Sequence, residues 1–136
     1  MQPDAARAAD TKEWVKKARQ DLRRAEILIA ADPPDLEGSL FHSQQAAEKA
    51  LKAFLTWHDV PFRRTHDLEV IGRQCLKIDA SLAEPVARAE PLTPYAWLFR
   101  YPGSPAEPVA DQAAAGLAAA RKLLNAVLDR LPPDIR

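Results

Sequence analysis

Cysteine, glycine and long apolar runs are scarce in this chain of 136 residues, and each shortage excludes a class of protein. The single cysteine, Cys75, cannot form a disulfide within the chain, which predicts a reducing cytoplasm as its setting. No apolar run approaches the roughly 20 residues that a spanning helix needs, so we expect no membrane partner. The N-terminal stretch MQPDAARAAD has no apolar segment that could serve as a signal peptide.

The chain also lacks an excess of charge of either sign. Its 19 basic and 19 acidic residues give a formal net charge of zero. This balance argues against wholesale electrostatic binding of nucleic acid, although it leaves room for a local basic patch. The length favours one domain over 1–136, in which we expect 1–9 to be a flexible N-terminus and 132–136 a tail.

What the chain does contain is helical periodicity, and no segment shows sustained strand alternation. The pattern predicts long helices at about 10–31, 36–57 and 113–131 and a shorter one at about 65–77. Segment 81–103 carries four prolines, which predict a kinked or broken helix that restarts near Thr93 and Pro94. Helices with one apolar stripe each must bury those stripes together. The predicted fold class is therefore all-α, an antiparallel four-helix up-and-down bundle with one additional short helix.

The second predicted helix carries an unusual polar stretch, HSQQAAEK at 42–49. On a helical wheel one set of polar residues lies opposite the apolar stripe: His42, Gln45, Lys49 and Lys52. Gln44 and Glu48 lie at the border of the stripe. The simplest interpretation is a solvated face with a polar rim over the core. The alternative is that these groups bind a ligand or the same residues of a partner chain, because buried polar groups need partners.

Three blocks of the sequence together resemble a known family. They are HSQQAAEKALKAFL, then THDL at 65–68, then RYPG at 100–103. Their order and spacing are similar to those of the HEPN domain family of prokaryotes and higher eukaryotes, over nearly the whole chain. The resemblance implies a small all-α bundle that usually forms homodimers and occurs beside nucleotidyltransferase partners, sometimes as toxin–antitoxin pairs. Some members are metal-independent ribonucleases, and others have nucleotide- or RNA-binding roles.

The ribonuclease branch of that family depends on an arginine followed, after four to six residues, by a histidine. None of the three histidines here, His42, His58 and His66, has an arginine five to seven positions before it. Arg100 is followed by YPGSPAE and so has no histidine close in sequence to act as acid or base. We therefore expect a binding module and not a ribonuclease. We also expect no cofactor and no metal, because no glutamate has a histidine three residues later and no glycine-rich phosphate loop is present.

The predicted nucleotide- or RNA-binding residues are Gln45, Lys49, His66, Arg100 and Tyr101. Lys49 and Arg100 would hold phosphate, Gln45 would hydrogen-bond a polar edge, and Tyr101 would stack on a base. Structural roles are open for two of them. Arg100 could pair with Glu48 across the bundle, and the side chains at 65–67 could cap the third helix.

Two other functions stay open at this point. The first is a residual ribonuclease toxin in which Arg100 works with His66 supplied across a dimer. The second is a structural adaptor in which the polar set of the second helix bonds only to its symmetry mate. Each uses residues that the binding hypothesis also uses.

A basic stripe runs along the first predicted helix, opposite its apolar face. Its members are Lys12, Lys16, Arg19 and Arg23. A phosphate backbone would suit such a stripe. An exposed helix face needs charge for solubility in any case, so the sequence favours the plainer interpretation.

Overall fold

The computed structural model describes residues 4–103 and 107–136. Within these residues the chain forms five α-helices and no strand, which confirms the predicted all-α class. The helices are α1 (Ala5–Ala30), α2 (Leu36–Trp57), α3 (Leu68–Ile78), α4 (Ala83–Ala89) and α5 (Ala110–Leu128). Short 3-10 segments, Ala80–Leu82 and Glu90–Ala96, lie on either side of α4, so the proline-rich segment is broken as expected. The expected restart near Thr93 and Pro94 is wrong, because both residues lie inside the second 3-10 segment.

Helices α1 and α2 form an antiparallel hairpin joined by residues 31–35. The Ser39 hydroxyl near the start of α2 donates to the carbonyl of Ala25 near the end of α1, at 2.9 Å. At the other end of the hairpin, the Arg7 guanidinium lies 5.7 Å from the centroid of the Trp57 ring. The hairpin therefore brings the middle of α1 against the polar stretch of α2.

Helix α2 lies at the centre of the bundle, where it packs against α1, α3 and α5. Small residues let its neighbours approach closely, and Ala46, Ala47 and Ala50 are fully buried. Buried polar residues also concentrate on this helix: Ser39, Ser43, Gln44 and Glu48. The residues predicted to form a solvated face are only partly buried: His42, Gln45, Lys49 and Lys52. Two of them, His42 and Lys49, contact Asp21 of α1.

The N-terminal helix begins earlier than the sequence predicts. Asp4 accepts a hydrogen bond from the backbone N–H of Ala6 at 2.8 Å and so caps α1, which makes residues 5–9 helical. The first three residues of the segment expected to be flexible, 1–3, lie outside the described residues. At the other terminus the expected tail packs on the bundle, because Ile135 is only 4% exposed. Both ends of the described chain therefore contribute to the folded structure.

The start of α3 also differs from the prediction. Asp67, and not Thr65, caps this helix by accepting from the backbone N–H of Glu69 at 2.9 Å. Thr65 instead accepts from the backbone N–H of Asp67 at 3.1 Å, which orders the approach to the helix. The backbone N–H of Leu68 donates to the Thr93 hydroxyl at 3.1 Å. These bonds hold the loop that carries His66 against the rest of the bundle.

In the part of the chain that the structure describes, no helix is both long enough and apolar enough to cross a membrane.

Candidate functional site

A buried carboxylate in the middle of α2 organises one polar cluster. Glu48 is only 3% exposed. Its Oε1 accepts from Gln44 Nε2 at 3.1 Å and lies 2.8 Å from His66 Nδ1, and its Oε2 accepts from Lys52 Nζ at 3.0 Å. Burial by itself raises the pKa of Glu48, but these hydrogen bonds and the Lys52 charge outweigh burial and hold the pKa below its ordinary value. The carboxylate is therefore ionised at neutral pH.

His66 is oriented by this carboxylate while its side chain stays 60% exposed. Gln44 Nε2 also donates to the backbone carbonyl of His66 at 3.2 Å, which fixes the main chain at the same point. A hydrogen bond at one ring nitrogen sets the direction of an imidazole and leaves the other nitrogen for a ligand or a proton. His66 is thus held in the manner of a functional histidine.

A second buried carboxylate, Asp21 on α1, organises a matching cluster. Asp21 is 2% exposed. Its Oδ1 lies 2.7 Å from His42 Nδ1 and 3.5 Å from the Arg24 guanidinium, and its Oδ2 accepts a hydrogen bond from Lys49 Nζ. His42 and Lys49 are both partly buried. The charge of Lys49 therefore has a partner inside the chain.

Residues of the two clusters alternate along α2 between His42 and Lys52, and Gln45 extends the Glu48 cluster. Gln45 Nε2 donates to Gln44 Oε1 at 2.6 Å, and Gln44 in turn donates to Glu48. We call the set the polar strip; its members are Asp21, His42, Gln44, Gln45, Glu48, Lys49, Lys52 and His66. Three of the five predicted ligand residues, Gln45, Lys49 and His66, belong to it. The polar set of α2 bonds within its own chain, so the adaptor hypothesis loses the unpaired groups on which it depended.

Arg100 and Tyr101 lie apart from the centre of the strip. The Arg100 guanidinium is 5.7 Å from the centroid of the Phe41 ring, and Arg100 lines a shallow pocket of about 210 Å³ at the start of α2. Lys49 follows Phe41 by eight positions, which is about 12 Å along the helix at 1.5 Å per residue. The predicted pairing of Arg100 with Glu48 is wrong, because Glu48 bonds to Gln44, Lys52 and His66.

Tyr101 is 73% exposed at the same corner. Its neighbour Arg100 is also exposed. The structure therefore places the predicted residues in two groups, the polar strip and the Arg100–Tyr101 corner.

Sequence reasoning missed Asp21, which is the partner of both His42 and Lys49. A signal for it does exist. Asp21 falls on the apolar face of α1 with Trp14, Ala18 and Ala25, where a carboxylate is unexpected. A charge on the apolar face of a helix predicts a buried partner, because an unpaired buried charge costs several kcal/mol.

Cys75 is fully buried, and its thiol lies 3.7 Å from the carbonyl oxygen of Leu51. Burial raises the pKa of this thiol to about 12. Because the thiolate is the reactive form, we expect Cys75 to be inert towards a disulfide reagent at pH 8 in the folded protein and to react fully in about 6 M guanidinium chloride. Absorbance of the released thiolate measures both. Rapid labelling of the folded protein would contradict the packing described.

Among residues 4–103 and 107–136, no group of three or more histidine, cysteine, aspartate or glutamate side chains is arranged to hold a metal ion. The acidic members of the polar strip are occupied by nitrogen donors. What the strip can do chemically is to position two imidazoles, two amides and two ammonium groups.

Comparison with known proteins identifies the family. The HEPN domain model matches residues 11–131. A candidate toxin of Methanocaldococcus jannaschii, MJ1304, is 34% identical over 97 residues, which are 65% of this chain and 61% of that protein. The match thus spans about three fifths of the relative. The crystal structure of ST0689, an archaeal HEPN homologue, shares the fold with a TM-score of 0.67 over 93% of this chain and 98% of that one, at 24% identity. The chain belongs to the HEPN domain family.

Proposed function

We propose that this chain is a HEPN-type module that binds a nucleotide or RNA through the polar strip and the Arg100–Tyr101 corner. The observation that carries the proposal is the orientation of the exposed His66 by the buried, ionised Glu48. Taking a carboxylate out of water is costly. A chain that needed only packing could fill this position with an apolar residue, whereas a ligand site needs its first contacts held by supporting groups.

The proposed roles follow from the geometry. Lys49 and Arg100 hold phosphate, Gln45 hydrogen-bonds a polar edge, His66 contacts the ligand through its outer ring nitrogen, and Tyr101 stacks on a base. Because Asp21 already neutralises part of the charge of Lys49, Arg100 is the stronger anchor. Arg100 lies beside Phe41, which precedes Lys49 by about 12 Å along α2, and this arrangement favours a ligand with more than one phosphate group.

The family membership and the toxin-like relative support a wider setting. We propose that the chain forms a homodimer in the cytoplasm and works with a separately encoded nucleotidyltransferase, as one half of a toxin–antitoxin-like pair. The single buried thiol is consistent with a reducing compartment. Light scattering of the purified protein, alone and with the product of a neighbouring gene, tests both partners.

Titration of a labelled 12-nucleotide RNA, followed by anisotropy, and of ATP and GTP, followed by calorimetry, tests the binding function. We expect Arg100→Ala to weaken binding about tenfold, because one charge-assisted contact contributes about 1.4 kcal/mol. Arg73→Ala is the matched control, since Arg73 is exposed on α3 and pairs with Glu69. If the protein binds none of ATP, GTP and RNA, the proposal is rejected. If Arg100→Ala and Arg73→Ala weaken binding equally, the role of Arg100 is rejected.

Metal-independent RNA cleavage is the second candidate, and the 2.8 Å contact between Glu48 and His66 favours it. A carboxylate-oriented imidazole is the usual general acid–base group. Cleavage of RNA in the presence of a chelator, lowered at least about 100-fold by His66→Ala, would support it. Absence of cleavage by the unmodified protein under the same conditions would reject it.

A further inference from the structure

A groove of about 420 Å³ lies between the outer face of α1 and the C-terminal segment. None of the residues that line it belongs to the polar strip. Val15 and Ile135, each 4% exposed, form its apolar floor. Its other lining residues are Gln20 and the cations Lys12, Lys16, Arg19, Arg23 and Arg136. The four cations on α1 are all exposed, and no acidic side chain lines the groove.

The positive charge of this groove is not offset by carboxylates. Among the residues that the structure describes, Lys12, Lys16, Arg19 and Arg23 form no ion pair and no side-chain hydrogen bond. Within the same described residues, six other cations outside the polar strip do pair with carboxylates, whereas Lys17 on α1 and Lys77 on α3 do not; the six are Arg24, Arg73, Arg88, Arg121, Lys122 and Arg130. Like charges one turn apart repel each other, so an uncompensated row lowers stability unless a polyanion offsets it.

The spacing of the row identifies the polyanion. Its positions follow the pattern i, i+4, i+7 and i+11, so that the cations share one face and extend over about 17 Å at 1.5 Å per residue. This gives one positive charge about every 5.5 Å along a straight edge, a repeat suited to successive phosphates of an extended chain. No aromatic side chain lines the groove, so it has no surface on which a base could stack.

We propose that this groove binds the phosphate backbone of a single-stranded nucleic acid without reading its sequence. A membrane surface fits less well. Binding to lipid requires apolar side chains that insert into the headgroup region. The apolar floor of the groove is buried, and Ile27 is the one large exposed apolar side chain on α1. The proposed surface is separate from the polar strip, so either can be tested alone.

Neutralisation of two neighbouring cations tests the groove. The affinity for a labelled 12-nucleotide oligo-U RNA is measured by anisotropy from about 50 to 200 mM NaCl, because each phosphate contact contributes about −0.7 to the slope of log K against log salt for a single strand. We expect Arg19→Gln combined with Arg23→Gln to make this slope shallower by about 1.4. An oligo-A of the same length should behave alike.

Arg73→Gln combined with Lys77→Gln is the matched control, because it removes two charges one turn apart on α3. Its slope should equal that of the unmodified protein. Equal changes in both variants, or no change in either, would overturn the proposal. A further result would also overturn the proposal: vesicles with about a third anionic lipid bind the unmodified protein but not the groove variant, and the salt slope for RNA is the same in both proteins.

ATP calorimetry separates this proposal from the proposed function. The groove variant should bind ATP as the unmodified protein does, since the groove lies outside the polar strip and the Arg100–Tyr101 corner. Loss of the ATP signal in the groove variant would contradict the separation. If neither the unmodified protein nor the groove variant binds ATP or GTP, while the salt dependence of RNA binding is still shallower in the groove variant, the proposed nucleotide site is rejected and the groove proposal stands.

Discussion

Glu48→Ala is expected to lower the free energy of unfolding by about 3–5 kcal/mol, the cost of breaking a buried ion pair by removing one partner. The carboxylate is 3% exposed and bonds to Gln44, Lys52 and His66. Its removal leaves the buried amide of Gln44 and the ammonium of Lys52 without that acceptor. Because the total free energy of unfolding of a domain of this size is about 5–15 kcal/mol, the loss is a large fraction of its stability. Urea denaturation at pH 7 measures it.

The pH dependence of this contribution has a definite sign. The pKa of Glu48 is lower in the folded chain than its ordinary value of 4.5. Its stabilising effect is therefore complete above about pH 4.5 and is lost as the pH falls through the lower, folded pKa. Glu48→Gln has no charge to lose at this position. The difference in unfolding free energy between the two proteins should narrow as the pH decreases from about 5 to 3.

Glu84→Gln is the control for the acid titration. Glu84 is 60% exposed and pairs with Arg88 on the surface. Solvent screens such a pair, so the unmodified protein and this variant should differ by less than about 1 kcal/mol at every pH. A gap between the unmodified protein and Glu48→Gln that widens on acidification would show that Glu48 is not ionised in the folded chain.

Asp21→Ala is expected to have the second large effect, a loss of about 3 kcal/mol or more. This carboxylate is 2% exposed and is the shared partner of His42 and Lys49. Without it, two partly buried nitrogen groups lose their acceptor at the interface of α1 and α2. Arg24→Ala should lower stability by less than about 1 kcal/mol, because Arg24 is 54% exposed and 3.5 Å from the same carboxylate.

A double-mutant cycle of Asp21→Ala and Lys49→Ala isolates the pair. We expect a coupling free energy of about 1–3 kcal/mol, the range for residues in one ion-pair network. Denaturant melts of the four proteins give the value. Additive losses would mean that the two residues stabilise the helix hairpin independently, and the polar strip would then not act as a unit.

The type of each secondary-structure element was predicted well from local sequence patterns. The second helix was predicted at 36–57 and occupies Leu36–Trp57, because Asp35 caps it and its apolar period is regular. Segment 81–103 is broken as the prolines predict, although Pro85 lies inside α4 and Pro94 lies inside the 3-10 segment Glu90–Ala96. The errors lie at helix ends, where one side chain decides. Helix α1 begins at Ala5, capped by Asp4, and not near residue 10; helix α3 begins at Leu68, capped by Asp67, and not near residue 65.

The candidate site could be predicted from the sequence only in part. A helical wheel correctly placed Gln45 and Lys49 on one side of α2, but a wheel does not show which residues of other helices and loops pack against that side. The partners of that side come from Asp21, which precedes Lys49 by 28 positions, and from His66, which follows Glu48 by 18. The position of Arg100 depends on packing between elements, and the structure places it beside Phe41 and not beside Glu48.

The sequence by itself determined the helices and the family, because periodicity, caps and short motifs depend on residues close together in the chain. Only the tertiary structure decided that the carboxylates of Asp21 and Glu48 are buried and that they pair with the polar stretch of α2. The physical reason is that a carboxylate avoids the interior unless donors meet it there, and those donors come from distant segments that only the folded bundle brings together.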